Sequence, residues 1–263
     1  MIQFTDIHGN FDTFLALLAI IPPEEVAKGI VISGDLIDRG PKSMQMVQYC
    51  IDNNIPCTMG NHELMMIDWI ASGCSFNDML WLGNGGMEAL ESYKEVDPNE
   101  ILKGEVDRVK LLEHAKWMQD LPTYLEFPDI KNEEGRYLVV SHSNIANAWD
   151  LRKAHDHKTV EQFKLHVLWG RPAKIKDVPE IYNIIGHTPQ QDGARIRKSY
   201  ANIDTGCFYK GEGGYHKLTA IQFPEMIIYE HENIDGNNYK ENPMKLITNP
   251  QEIKLRKKNA RRR

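Results

Sequence analysis

The first sixty residues repeat one arrangement. IQFT at 2–5, GIVIS at 29–33 and IPCTM at 55–59 are short apolar runs, and each leads straight into a polar cluster. Between them, FDTFLALLAII and KSMQMVQYCIDN carry apolar residues at helical spacing. Strand, polar turn, helix, strand is the βαβ pattern, which predicts parallel strands and an α/β core. In such sheets, ligands collect beyond the carboxyl ends of the strands. TDIHGN, GDLIDRG and GNHE all fall there.

Downstream the texture changes twice. Residues 63–128 read as mostly helical, from LMMIDWI through EALESYKEV to RVKLLEHAKWMQDL, an insertion or cap over the core. After Pro128 come strand-like runs: RYLVVSHS, IYNIIGHT, SYANIDTG, KLTAIQF and EMIIYEHE. The segment 143–180 is polar and loop-rich and carries WGRP at 169–172, and the stretch from Asn233 onward reads as loosely held. The expected organisation is a single domain over 1–232, with the insertion at about 63–128 and a polar extension over 233–263.

Composition narrows the class. The 263 residues are 41% hydrophobic and 26% charged, ordinary for a globular chain. No apolar run approaches the roughly 18 residues of a membrane span, so no membrane partner is expected. LALLAII at 15–21 follows acidic residues and no Lys or Arg, which argues against a signal peptide. Cys50, Cys57, Cys74 and Cys207 show no CxxC pairing, which fits idle thiols in a reducing cytosol, so a cytoplasmic location is expected. The last ten residues, KLRKKNARRR, hold seven basic and no acidic side chains, which leaves −13 on residues 1–253. Such a tail reads as solvated, with nucleic acid as the sharper alternative partner.

Five strand ends carry ligand-type side chains. Asp6 and His8 follow the first run, Asp35 and Asp38 the second, and Asn61 and His62 the third; His142 ends LVVSH and His187 ends IIGH. Any one alone is more simply a turn residue. Five converging on one sheet edge need a cation to hold carboxylates and imidazoles together. Taken from these eight, two carboxylates, an amide oxygen and three imidazoles, with no thiolate, favour a mixed N/O site for Mn, Fe or Zn. Six ligands exceed what one catalytic ion can accept while keeping open positions. They suit two ions sharing a carboxylate.

The order DIHG, GDLIDRG, GNHE, a strand-end His and a later GH resembles the calcineurin-like metallophosphoesterases. The Arg of GDLIDRG and the Glu of GNHE point to the serine/threonine phosphoprotein phosphatase branch. NHELMMID, NGG at 84–86, WGR, IIGHTP and IDTG are most similar to the bacteriophage lambda type of that branch. The resemblance covers about residues 2–223. It implies the fold of that family, an α/β arrangement with a central β-sandwich of mixed sheets flanked by helices. It also implies Asp6, His8 and Asp35 on one metal, and Asp35, Asn61, His142 and His187 on the second. His62 is then the general acid, oriented by Asp38, with Arg39 and Arg171 on the phosphate oxygens and Glu63 bracing the turn. The implied reaction is in-line attack on a phosphomonoester by a hydroxide bridging two divalent ions. Thr5 and Ser143-Asn144 depart from the usual Gly and Ala-Gly of the family, and neither change removes a ligand.

Other features read as structural. His155 and His157 fit a solvated loop, and His114, His166, His216 and His231 fit helix or strand surfaces. WLGNGG at 81–86 reads as a helix cap near the site, and the Met-rich faces as core. The leading expectation is a phosphatase acting on phosphorylated serine and threonine of proteins, with phosphotyrosine also possible as substrate. Hydrolysis of dinucleoside polyphosphates or other small phosphoesters is the alternative, and a catalytically silent binding protein comes third.

Overall fold

A computed structural model of the chain describes residues 1–74, 79–94, 106–209 and 215–236. The opening repeat folds as βαβ. β1 (Ile2–Phe4) and β2 (Ile30–Ile32) pair in parallel, Ile2 opposite Ile30, with α1 (Phe11–Ile20) and α2 (Pro23–Val26) in the connection. Pro23 opens α2, where its missing N–H costs no helical bond. After β2 comes α3 (Ser43–Asp52).

The third apolar run does not become a strand. It makes one parallel bridge, Ile32 to Cys57, and then peels away so that Met59 N–H reaches the Pro122 carbonyl at 2.8 Å. Pro56 removes a ladder donor in the middle of that run, which explains the interruption. Helices follow: α4 (Asn61–Ala71), α5 (Met79–Trp81), a kinked turn over Leu82–Gly86 that is not helical at Asn84 and Gly85, α6 (Met87–Ser92) and α7 (Arg108–Gln119).

The helical reading of 63–128 stops short at its end, because Tyr124–Lys131 is β3. Pro128 is tolerated there because β3 is a sheet edge and its pairing with β4 (Tyr137–Ser141) shifts register between Phe127 and Lys131. The segment 143–180 is less loop-like than its polarity implies. It holds a 3₁₀ helix (Ala146–Lys153) and α8 (His157–Trp169), whose N-cap Asp156 accepts the Thr159 N–H at 3.0 Å. β5 (Ile181–Ile185), β6 (Arg195–Ile196), β7 (Tyr200–Asn202), β8 (Lys217–Gln222) and β9 (Ile227–Glu232) complete the chain as described.

Two mixed sheets result, in orders β2-β1-β8-β9 and β3-β4-β5-β7-β6. Period-two alternation sorts their side chains into layers. Val31 and Ile221 of the first sheet meet Leu138, Val140 and Ile184 of the second, forming the core of a sandwich. Ile2, Phe4, Ile32 and Ala220 face α1, α3 and α4, while Val139 and Ile181 face Trp149, Phe163 and Val167. The result is an α/β sandwich of mixed sheets flanked by helices. The parallel pairs β1–β2 and β4–β5–β7 bring their carboxyl ends to one edge, where the polar clusters lie.

The start of the C-terminal extension is held. Asn233 is buried and donates to Asn10 Oδ1 and to the Cys207 carbonyl, and the Asp235 carboxylate accepts the Asp12 and Thr13 N–H groups at 3.1 and 2.8 Å. The basic tail lies outside the described residues.

Candidate active site

The loops after the strands hold their polar side chains inward by unusual backbone angles. Asp6, His8, Asp35, Asp38, Arg39 and His187 all have positive φ, six of the ten described non-glycine residues that do. Such strain persists only where the surroundings over-determine it. Two glycines let the carboxylates approach: a Cβ at Gly60 would lie 2.2 Å from Asp35 Oδ1, and one at Gly186 would lie 1.9 Å from Asp6 Oδ2. Glu63 ties the second and third clusters together. Its carboxylate accepts the N–H groups of Gly60 at 2.7 Å, Asp35 at 3.0 Å and Leu36 at 2.8 Å.

Asp35 is the centre. Its Oδ2 lies 3.4 Å from His142 Nε2, 3.6 Å from His8 Nε2 and 3.8 Å from His62 Nε2. His142 Nε2 is also 2.8 Å from Asn61 Oδ1 and 3.0 Å from His187 Nδ1. The tautomers follow from the far sides of the rings. His8 Nδ1 faces the Ile37 carbonyl at 2.9 Å and His142 Nδ1 faces the Ser33 carbonyl at 3.1 Å; a carbonyl only accepts, so those nitrogens carry the protons. Both Nε2 lone pairs therefore point into the cluster. Asp6 accepts the His187 N–H at 3.0 Å and stands 4.0 Å from His8.

Burial governs the charge state. It pushes the Asp35, Asp38 and Asp204 carboxyls well above the usual range, with Asp6 reinforcing this at Asp35 and Asp204, and Glu63 at Asp38. It holds the imidazoles of His8, His62 and His187 well below theirs, with Arg39 adding at His8 and His62, and His142 adding at His187.

These residues fit cations. Neutral imidazoles are the form that ligates, and dications would keep the carboxylates ionised. His187 Nε2 is buried without a hydrogen-bond partner. Asp35 belongs to two ligand groups, His8–Asp35–His62 and Asp35–His142–His187, whose candidate atoms lie within 4.8 Å of one another. One contact competes: Arg39 Nη1 is 2.7 Å from His8 Nε2, so the guanidinium must turn away for that nitrogen to bind an ion.

His62 faces two ways. Its backbone N–H reaches Asp35 Oδ1 at 3.1 Å, and its Nδ1 lies 2.6 Å from Asp38 Oδ2. Arg171 follows the α8 C-terminus, donates to the His187 carbonyl at 3.4 Å and joins Arg39 in lining a cavity of about 50 Å³ over Asp6, Asp35 and His62. A larger cavity of about 250 Å³ shares Arg171 and adds Asn144, Arg195 and Tyr200.

All ten residues singled out by sequence thus meet at one sheet edge. Several others there were missed. Asp204 is 2% exposed and lines the cavity, and in the sequence only the IDTG motif points to it. Phe208 lies under the Arg39 guanidinium at 4.0 Å, and Trp81 reaches Asp38. His114 departs from expectation: it is buried between the Tyr93 hydroxyl and Gln48, not on a surface.

The model of the calcineurin-like phosphoesterase family matches residues 1–211. The chain belongs to that family. Among relatives of this calcineurin-like phosphoesterase, the symmetrical bis(5'-nucleosyl)-tetraphosphatase of Neisseria gonorrhoeae is 31% identical over 57% of this chain. The chain spans 45% of that relative's length. The asymmetrical bis(5'-nucleosyl)-tetraphosphatase of Bacillus subtilis is 26% identical over 84% of this chain and 90% of its own. Serine/threonine-protein phosphatase 1 of Salmonella typhimurium is 29% identical over 82% of this chain and 89% of its own. The solved structure of a protein serine/threonine phosphatase from Saccharomyces cerevisiae shares the fold, with TM-score 0.57 at 14% identity over 91% of this chain and 81% of that one.

Proposed function

We propose that this calcineurin-like phosphoesterase is a binuclear metal-dependent hydrolase of phosphomonoesters, with phosphorylated serine and threonine of proteins as its first substrate class. The observation that carries the reading is the His62–Asp38 pair, 2.6 Å apart, beside the buried ligand cluster and two arginines. Asp6, His8 and Asp35 would hold one ion; Asp35, Asn61, His142 and His187 would hold the other. Mn is the first choice for this N/O set, with Fe or Zn also suited. When bound, such ions lower the pKa of water and offset the charge of the phosphate.

The chain's own residues do the rest. Arg39 and Arg171 fork onto the phosphate oxygens and stabilise the charge spread across them in the transition state. His62 is protonated on both ring nitrogens when the phosphate dianion is bound. As the ester P–O bond breaks, it gives its Nε2 proton to the leaving oxygen, while water's oxygen becomes the new oxygen on phosphorus. One water proton stays with the phosphate and the other returns to His62. Asp38 accepts from His62 Nδ1 and keeps the ring turned for that transfer. The small cavity supports a substrate that inserts one phosphoryl group and leaves its carrier outside. The serine/threonine phosphatase relative supports the same class, and GDLIDRG with NHELMMID is what favours the lambda-type branch.

A second reading, dinucleoside polyphosphate hydrolysis, is favoured by the larger cavity. It shares Arg171, and Asn144 on its wall has an unpartnered Nδ2 donor, so it offers room and donors for further phosphates. The tetraphosphatase relatives agree with it. One experiment tests both: after exhaustive chelation, metal is restored and turnover is followed on a phosphopeptide, an aryl phosphate and a dinucleoside tetraphosphate in parallel. About two ions per chain should restore activity together, with the phosphopeptide preferred. Full activity in strong chelator sinks the metal reading, and preference for the tetraphosphate selects the second substrate.

A further inference from the structure

WLGNGG ends at Gly86, the N-cap of α6, as a helix cap near the site would. Residues 82–86 form a kink between α5 and α6, non-helical at Asn84 and Gly85, and it sits on the Asp38–Arg39 corner. Trp81, 1% exposed, directs its indole Nε1–H at Asp38, 3.0 Å from both Oδ1 and Oδ2. Asp38 Oδ2 in turn receives His62 Nδ1 at 2.6 Å, so the carboxylate is bound by two side-chain donors.

The rest of the motif fixes that indole. Trp69 packs on it at 4.8 Å between ring centroids, and a Cβ at Gly86 would come within 2.6 Å of the ring. Gly85, at φ +108°, accepts the Arg39 N–H at 3.2 Å, and a Cβ there would lie 2.6 Å from Arg39 Cγ. The six-residue run therefore contacts the Asp38 side chain and the Arg39 backbone together. An indole N–H donates only and does not titrate in the working range, which makes it a fixed anchor for a carboxylate.

We propose that Trp81 is a positioning residue: its Nε1–H fixes the Asp38 carboxylate, and through it the ring of His62, for proton delivery to the leaving group. A tryptophan that merely fills the core gives the same burial but no dependence of the reaction on its N–H. The inference rests on His62 being the proton donor.

The test is Trp81→Phe in the metal-loaded full chain, which keeps an aromatic ring and removes the donor. Turnover on a phosphoserine peptide should fall about 10-fold, a fraction of the ~10²–10⁴ for losing a general acid, with KM nearly unchanged. The loss should shrink on p-nitrophenyl phosphate, whose leaving group hardly needs a proton. Added to His62→Asn, Trp81→Phe should cost little more, since both act on one step. Equal losses on both substrates, additivity with His62→Asn, or no loss at all overturns the proposal. If His62→Asn itself treats good and poor leaving groups alike, the reading of His62 fails instead. Should Trp81→Phe not fold, the wild-type indole N–H signal decides: Asp38→Asn must shift it, and an unmoved signal overturns the contact.

Discussion

His62 sits where two kinds of contact cross: its backbone N–H on Asp35 and its ring on Asp38. Replacing it by Asn keeps a polar side chain at the start of α4 and removes the transferable proton. Turnover on phosphopeptide should fall ~10²–10⁴-fold, while metal stoichiometry stays near wild type. The loss should be smaller on nitrophenyl phosphate, and a uniform loss would assign His62 another role. Arg171 lines the small cavity over Asp35. It is the one guanidinium shared by both cavities, and burial lowers its pKa, with Arg39 adding to the shift. Arg171→Ala should reduce kcat/KM by about 2–4 kcal/mol of transition-state binding, by analogy with loss of one oxyanion donor. Steady-state kinetics showing less than a twofold change would move the phosphate away from it.

At the scale of elements, two contacts over long sequence distances hold helices in place. Asp235 caps α1 from the far end of the chain: it accepts the Asp12 and Thr13 N–H groups, and the Thr13 hydroxyl at 2.6 Å. Asp235→Ala should cost about 1 kcal/mol in denaturant unfolding, the usual value of a lost N-cap, with kcat unchanged. Buried His114 links α7 to α3 through Gln48 and to Tyr93 beyond α6. Burial lowers its pKa from 6.5 to about 4. The unfolded chain then binds the extra proton first, so this contribution is full above pH 6.5 and is lost as pH falls toward 4. The unfolding midpoint of wild type should drop more steeply across that window than that of His114→Gln. Parallel curves would show that His114 does not carry the slope.

For the molecule as a whole, charge and topology decide different things. Seven basic residues at 254–263 join a body of formal charge −13. At physiological salt, attraction between exposed charges fades beyond about 8 Å. Deleting 254–263 should therefore leave aryl phosphate turnover unchanged and abolish any salt-sensitive retention on RNA or DNA; a large loss of turnover would mean the tail reaches the site. The sequence by itself placed the polar clusters together, because parallel strands joined by helical connections end their apolar runs at one edge. It also determined the α/β class, since apolar periodicity is written locally. Local pattern could not separate a strand from a single bridge at Cys57, nor place Pro128 on an edge, because both depend on which neighbour supplies the ladder. Trp81, Asp204 and His114 were illegible for the same reason. Their partners lie 43 residues away in Asp38, at a strand from the other end of the chain, and across a helix pair at Gln48. Only packing brings such groups together, and a buried polar group takes its meaning from the neighbours that surround it.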